Sequence, residues 1–333
     1  MVVERKSHIT IKDVAKLAGV GIATASRALN NRGDVHPETR RKVLEAAQKL
    51  GYVPNSLARS LVYGKTKKVG VIITTVLNPF YAAVVSGIER VLTANGYTLI
   101  LYNSNEDPRK EREALLILRQ QRVDGIIFAP IEYESQNVKY LIDSKIPFVL
   151  VARRTLEEDT SFVIADDFKV GKIGTEHLIE KGHRRILFLN SWKNSSAKFR
   201  LEGYKSALRE AGFLINPKLI YSIKPDTDLK KLISEIFSSK SRPTAIFCFC
   251  DSIALEVMKV VKEEGLKIPD DVAILGCDNL DYTELLNPSL TTIDISKFDM
   301  GVLAARILLG LLEDNKEPVR YIFEPKLVIR EST

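Results

Sequence analysis

Cysteine is scarce in this chain: Cys248, Cys250 and Cys277 are the only three among 333 residues. Three thiols make no disulfide framework, which points to a reducing compartment, the cytoplasm. The four histidines, His8, His36, His177 and His183, show no ligand spacing with them, so no metal site is expected. Cys248 and Cys250 lie two apart on an apparent strand, which would put both on one face as buried thiols. No run of 18 apolar residues occurs and the N-terminal stretch lacks an apolar core, so neither a membrane span nor a secretion signal is expected. The glycine patterns of dinucleotide and P-loop sites are missing, as is the G-x-S-x-G elbow. An enzyme is therefore disfavoured, and no cofactor is expected.

Charge is present but unevenly placed. The chain carries 49 Lys+Arg and 42 Asp+Glu, a net of +7. Residues 1–67 hold 13 Lys+Arg against 5 Asp+Glu, and the remainder is almost neutral. A basic head on a neutral body suits a phosphate-binding surface.

Within that head, residues 10–30 read TIKDVAKLAGVGIATASRALN. Ile11, Val14, Ala15 and Ala18 recur at helical spacing, with Asp13 in the first turn, where a carboxylate suits the exposed N–H groups. Gly19 stops this helix, Val20 plugs the corner, and a second helix begins near Gly21. Two short helices joined by a glycine-containing turn form a helix-turn-helix pattern. In that geometry Ile22 and Ala23 face base edges and Arg27 reaches guanine O6 and N7. On spacing alone an αα-corner with a solvated Arg27 is an equal alternative. A third helix follows from Pro37, a favourable first-turn residue, to its stop at Gly51.

Here the chain closely resembles the lac repressor (LacI/GalR) family of bacterial transcription regulators. The matching strings are TIKDVA, AGV, ATASR, ETRRKV, LGYVPN and ARSL, all in one order. The resemblance continues through DGII, ADD, EHLIEKGHRRI, RLEGY, LKIPDDVAILG and SLTTI, and so covers essentially the whole chain. It implies a sequence-specific regulator, most simply a repressor of carbohydrate-utilisation genes, acting as a homodimer on a pseudo-palindromic DNA operator. A small-molecule effector, a sugar or sugar derivative, would set operator affinity. DNA contacts are then expected from Thr10, Ile22, Ala23, Thr24, Ser26, Arg27 and Asn30. Further contacts come from Asn55, Ala58 and Leu61 of a hinge helix, Leu61 being the wedge that enters the minor groove. Residues alone would make this stretch an ordinary linker, since so short a helix is unstable by itself.

The implied organisation is an all-α DNA-binding head over 1–54, a hinge helix and linker over 55–67, and an α/β core over 68–333. From Lys68 onward, continuous apolar strands alternate with helices, as parallel sheets covered on both faces require. So many units suggest two sheets. The family core consists of two doubly wound subdomains like those of periplasmic sugar-binding proteins. The first would hold about 68–165 and 293–324, the second about 166–292 and 325–333. The chain end carries no heptad extension, so dimers are expected and not tethered tetramers.

Ligands of such sheets bind beyond the carboxyl ends of the strands. That rule selects Asn78, Phe80, Tyr81, Arg153, Asp166, Trp192, Asp251 and Asp278, a set of polar groups and aromatic faces suited to a polyhydroxyl ligand. Any of them could instead be a helix cap or half of an ion pair. The resemblance adds Arg200 as the effector clamp and places Cys250 in the site. It also marks departures: Cys250-Asp251 stands where Asn-Asp is usual, removing an amide, and Gly21 and His36 replace serine caps. A solute-binding module without DNA activity is the third class, which the basic head opposes.

Overall fold

A computed structural model describes residues 9–30, 34–53, 64–224, 226–239, 242–313 and 317–333. The chain separates into two compact units, residues 1–66 and 67–333.

The first unit contains α1 (Ile11–Ala18), α2 (Ile22–Leu29) and α3 (Pro37–Leu50). The Thr10 amide and hydroxyl both donate to the Asp13 carboxylate, at 2.8 and 2.7 Å, closing the first turn of α1. Those bonds hold the Asp13 carboxyl below its ordinary pKa. Gly19 takes φ 66°, and the Val20 amide returns to the Ala15 carbonyl at 3.0 Å, the left-handed stop that lets α2 turn away. Val14, Ala15, Ala25, Ala28, Val43, Ala46 and Ala47 form the core. Five of these seven are alanines, so the helices approach closely. Gly21 caps α2 without a side-chain bond, while His36 Nδ1 accepts the Glu38 amide at 3.4 Å in place of a serine.

The second unit runs β1 (Lys68–Ile73), α4 (Pro79–Ala94), β2 (Thr98–Asn103), α5 (Pro108–Gln120), β3 (Gly125–Phe128), α6 (Gln136–Ser144), β4 (Phe148–Val151) and β5 (Phe162–Ala165). It continues with α7 (Asp167–Glu180), β6 (Ile186–Asn190), α8 (Ser195–Glu210), β7 (Ile220–Ser222), α9 (Leu229–Phe237), β8 (Ala245–Cys248), α10 (Asp251–Glu263) and β9 (Ala273–Leu275). The last elements are β10 (Thr292–Asp294), α11 (Lys297–Leu311), β11 (Arg320–Phe323) and β12 (Lys326–Val328). No described helix is long and apolar enough to cross a membrane.

The first sheet has the order β11-β5-β4-β3-β1-β2 and the second β7-β6-β8-β9, each parallel throughout. Side chains alternate between faces, as the pleat dictates. Val71, Ile127 and Val149 pack toward α4 and α11, whereas Ile72, Ile126 and Leu150 pack toward α5 and α6. In the second sheet Phe188 and Phe247 meet Tyr204 of α8, and Leu187, Ile246 and Cys248 meet Val257 and Met258 of α10. Strand β8 ends at Cys248, so Cys250 lies beyond the alternation: Cys248 packs against α10, and Cys250, also buried, borders the cleft. Elements β7, α9, β11 and β12 were not foreseen from the sequence.

The two lobes are joined by crossing segments. The chain leaves the first sheet after β5, returns through β10 into α11, adds β11 beside β5, and crosses again into β12. Strands β10 and β12 pair antiparallel, and Ser332 then bonds Ile274 of the second sheet. In each lobe one helix pair meets glycine to backbone. Gly171 of α7 faces the Arg200 carbonyl and Gly203 of α8 faces that of Phe168; Gly87 of α4 faces the Phe298 carbonyl and Gly301 of α11 that of Val84. A Cβ at any of the four would overlap the opposing backbone.

Candidate functional site

The outer face of α2 presents Ile22, Ala23 and Arg27 to solvent, and Ile22 is 48% exposed, although leucine-sized side chains normally turn inward in so small a core. Thr24 and Ser26 are half-buried beside them. The Asn30 side-chain Nδ2 donates to the Ser26 carbonyl at 2.8 Å, closing the C-terminal turn. Arg27 pairs with Asp34 at 3.0 Å, and both side chains remain about half exposed. Thr10 is exposed, with its hydroxyl engaged by Asp13. Asn55, Ala58 and Leu61 lie outside the described residues.

In the second unit a small cleft opens where strand ends of the two sheets converge. The first lobe contributes Asn78, Phe80 and Tyr81 at the start of α4, with Arg153 beyond β4. The second contributes Asp167, Ser196, Arg200, Phe249, Cys250 and Asp278. Ala152, Ala165, Ile295 and Met300 complete the apolar wall. Asn78 is an N-cap, its Oδ1 accepting the Phe80 amide at 3.0 Å, and its side chain lies beside the Asp278 carboxyl.

Two buried guanidinium groups fix the polarity of this cleft. Arg200 donates from Nε to Asp167 Oδ1 at 2.8 Å and from a terminal nitrogen to the Phe249 carbonyl at 2.6 Å, and it stacks on the Phe249 ring at 4.4 Å. Arg153 forks onto Glu106 at 3.1 and 3.4 Å and onto the Pro130 carbonyl at 3.3 Å. Planar forks of this kind present paired donors to hydroxyls or carboxylates. Opposite them, burial raises the Asp278 pKa well above the carboxylate range, and the nearby Asp251 adds to the effect. Burial likewise pushes the Cys250 thiol up to about 12, so it faces the cleft as a neutral, weakly bonding group.

Three expected lining residues stand elsewhere. Asp166 turns back as the cap of α7, accepting the Lys169 amide at 3.0 Å, so the next residue, Asp167, faces the cleft. Trp192 is 39% exposed, beneath the Lys193 ammonium at 4.3 Å, and provides no platform within the cleft. Asp251 is fully buried, and both its oxygens are used: Leu280 N–H donates at 2.9 Å and the Thr292 hydroxyl at 2.6 Å. Burial brings its pKa up to about 6, and its role is to hold the crossing strand to the second sheet.

Asp167, Ser196 and Phe249 were missed. Adjacent aspartates at a helix start carried the signal for the first, because a capping carboxylate points along its own helix and frees the next. Ser196 follows the Asn194 cap of α8, which occupies itself with the Ala197 amide at 2.8 Å. Phe249 lay hidden in an apolar run whose register cannot be read without the strand end.

The chain matches two family models, "Bacterial regulatory proteins, lacI family" over residues 10–55 and "Periplasmic binding proteins and sugar binding domain of LacI family" over residues 66–328. It is 35% identical over 328 residues to the HTH-type transcriptional repressor PurR of Histophilus somni, covering 97% of this chain and 98% of that one. Among solved structures it is similar to a transcriptional regulator CelR-cellobiose complex, at 30% identity and a TM-score of 0.74, with 98% of this chain and 100% of that chain covered. The lac repressor dimer bound to operator and the anti-inducer ONPF shares the fold at a TM-score of 0.88 and 24% identity, covering 98% and 99%. The chain belongs to the lacI family of bacterial regulatory proteins, as a DNA-binding transcriptional regulator and not an enzyme.

Proposed function

We propose that the protein is a cytoplasmic, homodimeric repressor whose affinity for a two-fold operator is set by a small polyhydroxylated effector in the cleft. The exposed Ile22, Ala23 and Arg27 are the base-reading residues. The observation that carries the effector reading is the set of donors and acceptors gathered at the cleft, the buried Arg200, Asp167 and Asp278 from the second lobe and the half-buried Asn78 from the first. Hydroxyls both donate and accept, so a polyol satisfies such a mixed lining, while Phe80 and Met300 pack on its carbon edge. The effector acts by binding one lobe arrangement better than the other.

A purine base is the second reading, favoured by the PurR relatives. Phe80 and Phe249 would then flank a flat ring, although Arg200 already covers one face of Phe249. A thermal-shift screen against sugars, sugar phosphates and purine bases decides between them. A compound at about 100 times its dissociation constant stabilises by about 2.7 kcal/mol, a readily measured rise in melting temperature. Stabilisation by purines alone would replace the polyol reading. If Arg200→Ala and Asp278→Ala both leave the response to a hit unchanged, the cleft is not the effector site.

A further inference from the structure

We propose that Lys297, at the start of α11, is a positioning residue of the effector site. It holds the Asp278 carboxyl in the cleft and ties its position to the segments that join the lobes. The inference rests on the reading of the cleft as the effector site.

Asp278 has φ 116° and Asn279 φ 48°, conformations that residues with a Cβ rarely adopt. Such backbone persists only where its surroundings over-determine it. Here the restraints come from one place. The Lys297 ammonium donates to the carbonyl oxygens of Asp278 at 3.1 Å and of Asn279 at 2.6 Å. The Asp278 amide donates to the Ile293 carbonyl at 2.9 Å, and the Asn279 amide to the Thr292 hydroxyl at 3.2 Å. The Asn279 side chain donates to Asp294 at 2.8 Å and accepts from Arg330 at 3.0 Å. Residues 292–297 and Arg330 belong to the crossing segments, so the pocket carboxyl is mounted on the joint between the lobes and not only on the second sheet.

Lys297 has a particular place in this set. It is the one ammonium in it, it bonds both residues of positive φ, and it begins the helix that packs on α4 of the first lobe. A ligand that draws on Asp278 therefore pulls on α11 through Lys297. The charged groups around the two buried carboxyls are Arg200 and Lys297 beside Asp278, and Lys297 and Arg330 beside Asp251, with the Cys250 and Cys277 thiols adjacent.

The test uses the full chain without any compound, so its result is independent of the effector's identity. Hydrogen exchange is compared for the parent, Lys297→Met and Lys297→Arg in peptides covering residues 276–281 and strands β6 and β8. Lys297→Met should speed exchange in 276–281 by about tenfold or more and leave β6 and β8 unchanged, and Lys297→Arg should restore the parental rate. The Tm loss of Lys297→Met should also be larger near pH 8, where Asp251 is ionised and favours the nearby ammonium, than near pH 5. Unchanged exchange in 276–281, or acceleration spread equally over β6 and β8, or a pH-independent Tm loss, overturns the assignment. None of those outcomes touches the cleft reading, which the Arg200 and Asp278 variants test separately.

Discussion

Gly171 of α7 lies directly against the Arg200 carbonyl of α8, closer than any side chain would allow. The effector clamp therefore depends on a residue that has no side chain. Gly171→Ala should push α8 outward and carry Arg200 away from Asp167. Overpacking of this kind costs about 1–3 kcal/mol. Denaturant unfolding should show that loss for Gly171→Ala and for Gly301→Ala in the other lobe, but only the former should also abolish effector binding. Equal ligand response in both variants would separate the helix contact from the clamp.

The Arg200–Asp167 pair is about 95% buried on both sides. Removing one partner leaves the other charged and unpaired, which costs about 3–5 kcal/mol. Asp167→Ala should accordingly destabilise far more than the double change Asp167→Ala with Arg200→Met, measured in urea. Additive losses would show that the two charges are not coupled.

Arg27 shares its guanidinium with Asp34 across the turn between α2 and α3. An exposed pair of this kind contributes less than about 1 kcal/mol to stability. We therefore expect Asp34→Asn to leave the melting temperature unchanged and to tighten operator binding, because Arg27 is released and a charge that repels phosphate is gone. Arg27→Ala should abolish sequence preference while keeping effector binding. A fluorescence-anisotropy titration on operator DNA checks both, and weaker binding by Asp34→Asn would make the pair a positioning contact instead.

Glu111 of α5 is buried, accepting the Ile131 amide at 3.0 Å and the Asn137 side chain at 2.9 Å. Burial outweighs those two bonds and raises its pKa to about 7. Because the folded value is raised, the contribution to stability is present below the unfolded value and is lost as pH rises through 7. Unfolding free energy should thus fall between about pH 5 and pH 8, by roughly 2–3 kcal/mol from this group. Glu111→Gln should flatten that slope. A variant as pH-dependent as the parent would place the titration elsewhere.

Much of this was legible in the chain, for physical reasons that can be named. Strands such as Val69–Ile73 are apolar on both faces, so they read as buried parallel strands without ambiguity. Gly19 and Gly51 marked helix ends because each sits at positive φ. The strand-end rule selected Asn78, Phe80, Tyr81, Arg153 and Asp278, and the resemblance selected Arg200 and Cys250, and all seven border the cleft. Strands β7 and β12 are three residues long, too short for a pattern, and β11 is a largely exposed edge. Helix α9 was readable: Leu229, Leu232, Ile233 and Ile236 have amphipathic spacing. Trp192 and Asp251 misled because position after a strand says where a residue stands, not which way it turns.

The pairing of β11 with β5 bears on how the chain assembles during synthesis. When residues 162–165 emerge from the ribosome, the outer edge of β5 has no neighbour, and it keeps none until residues 320–323 arrive. The whole second sheet can be made before the first is finished. Newly made N-terminal lobes therefore expose an apolar strand edge through nearly half of translation, a template for mispairing between nascent chains. Chaperone dependence should accordingly concentrate on the lobe that begins first and closes last.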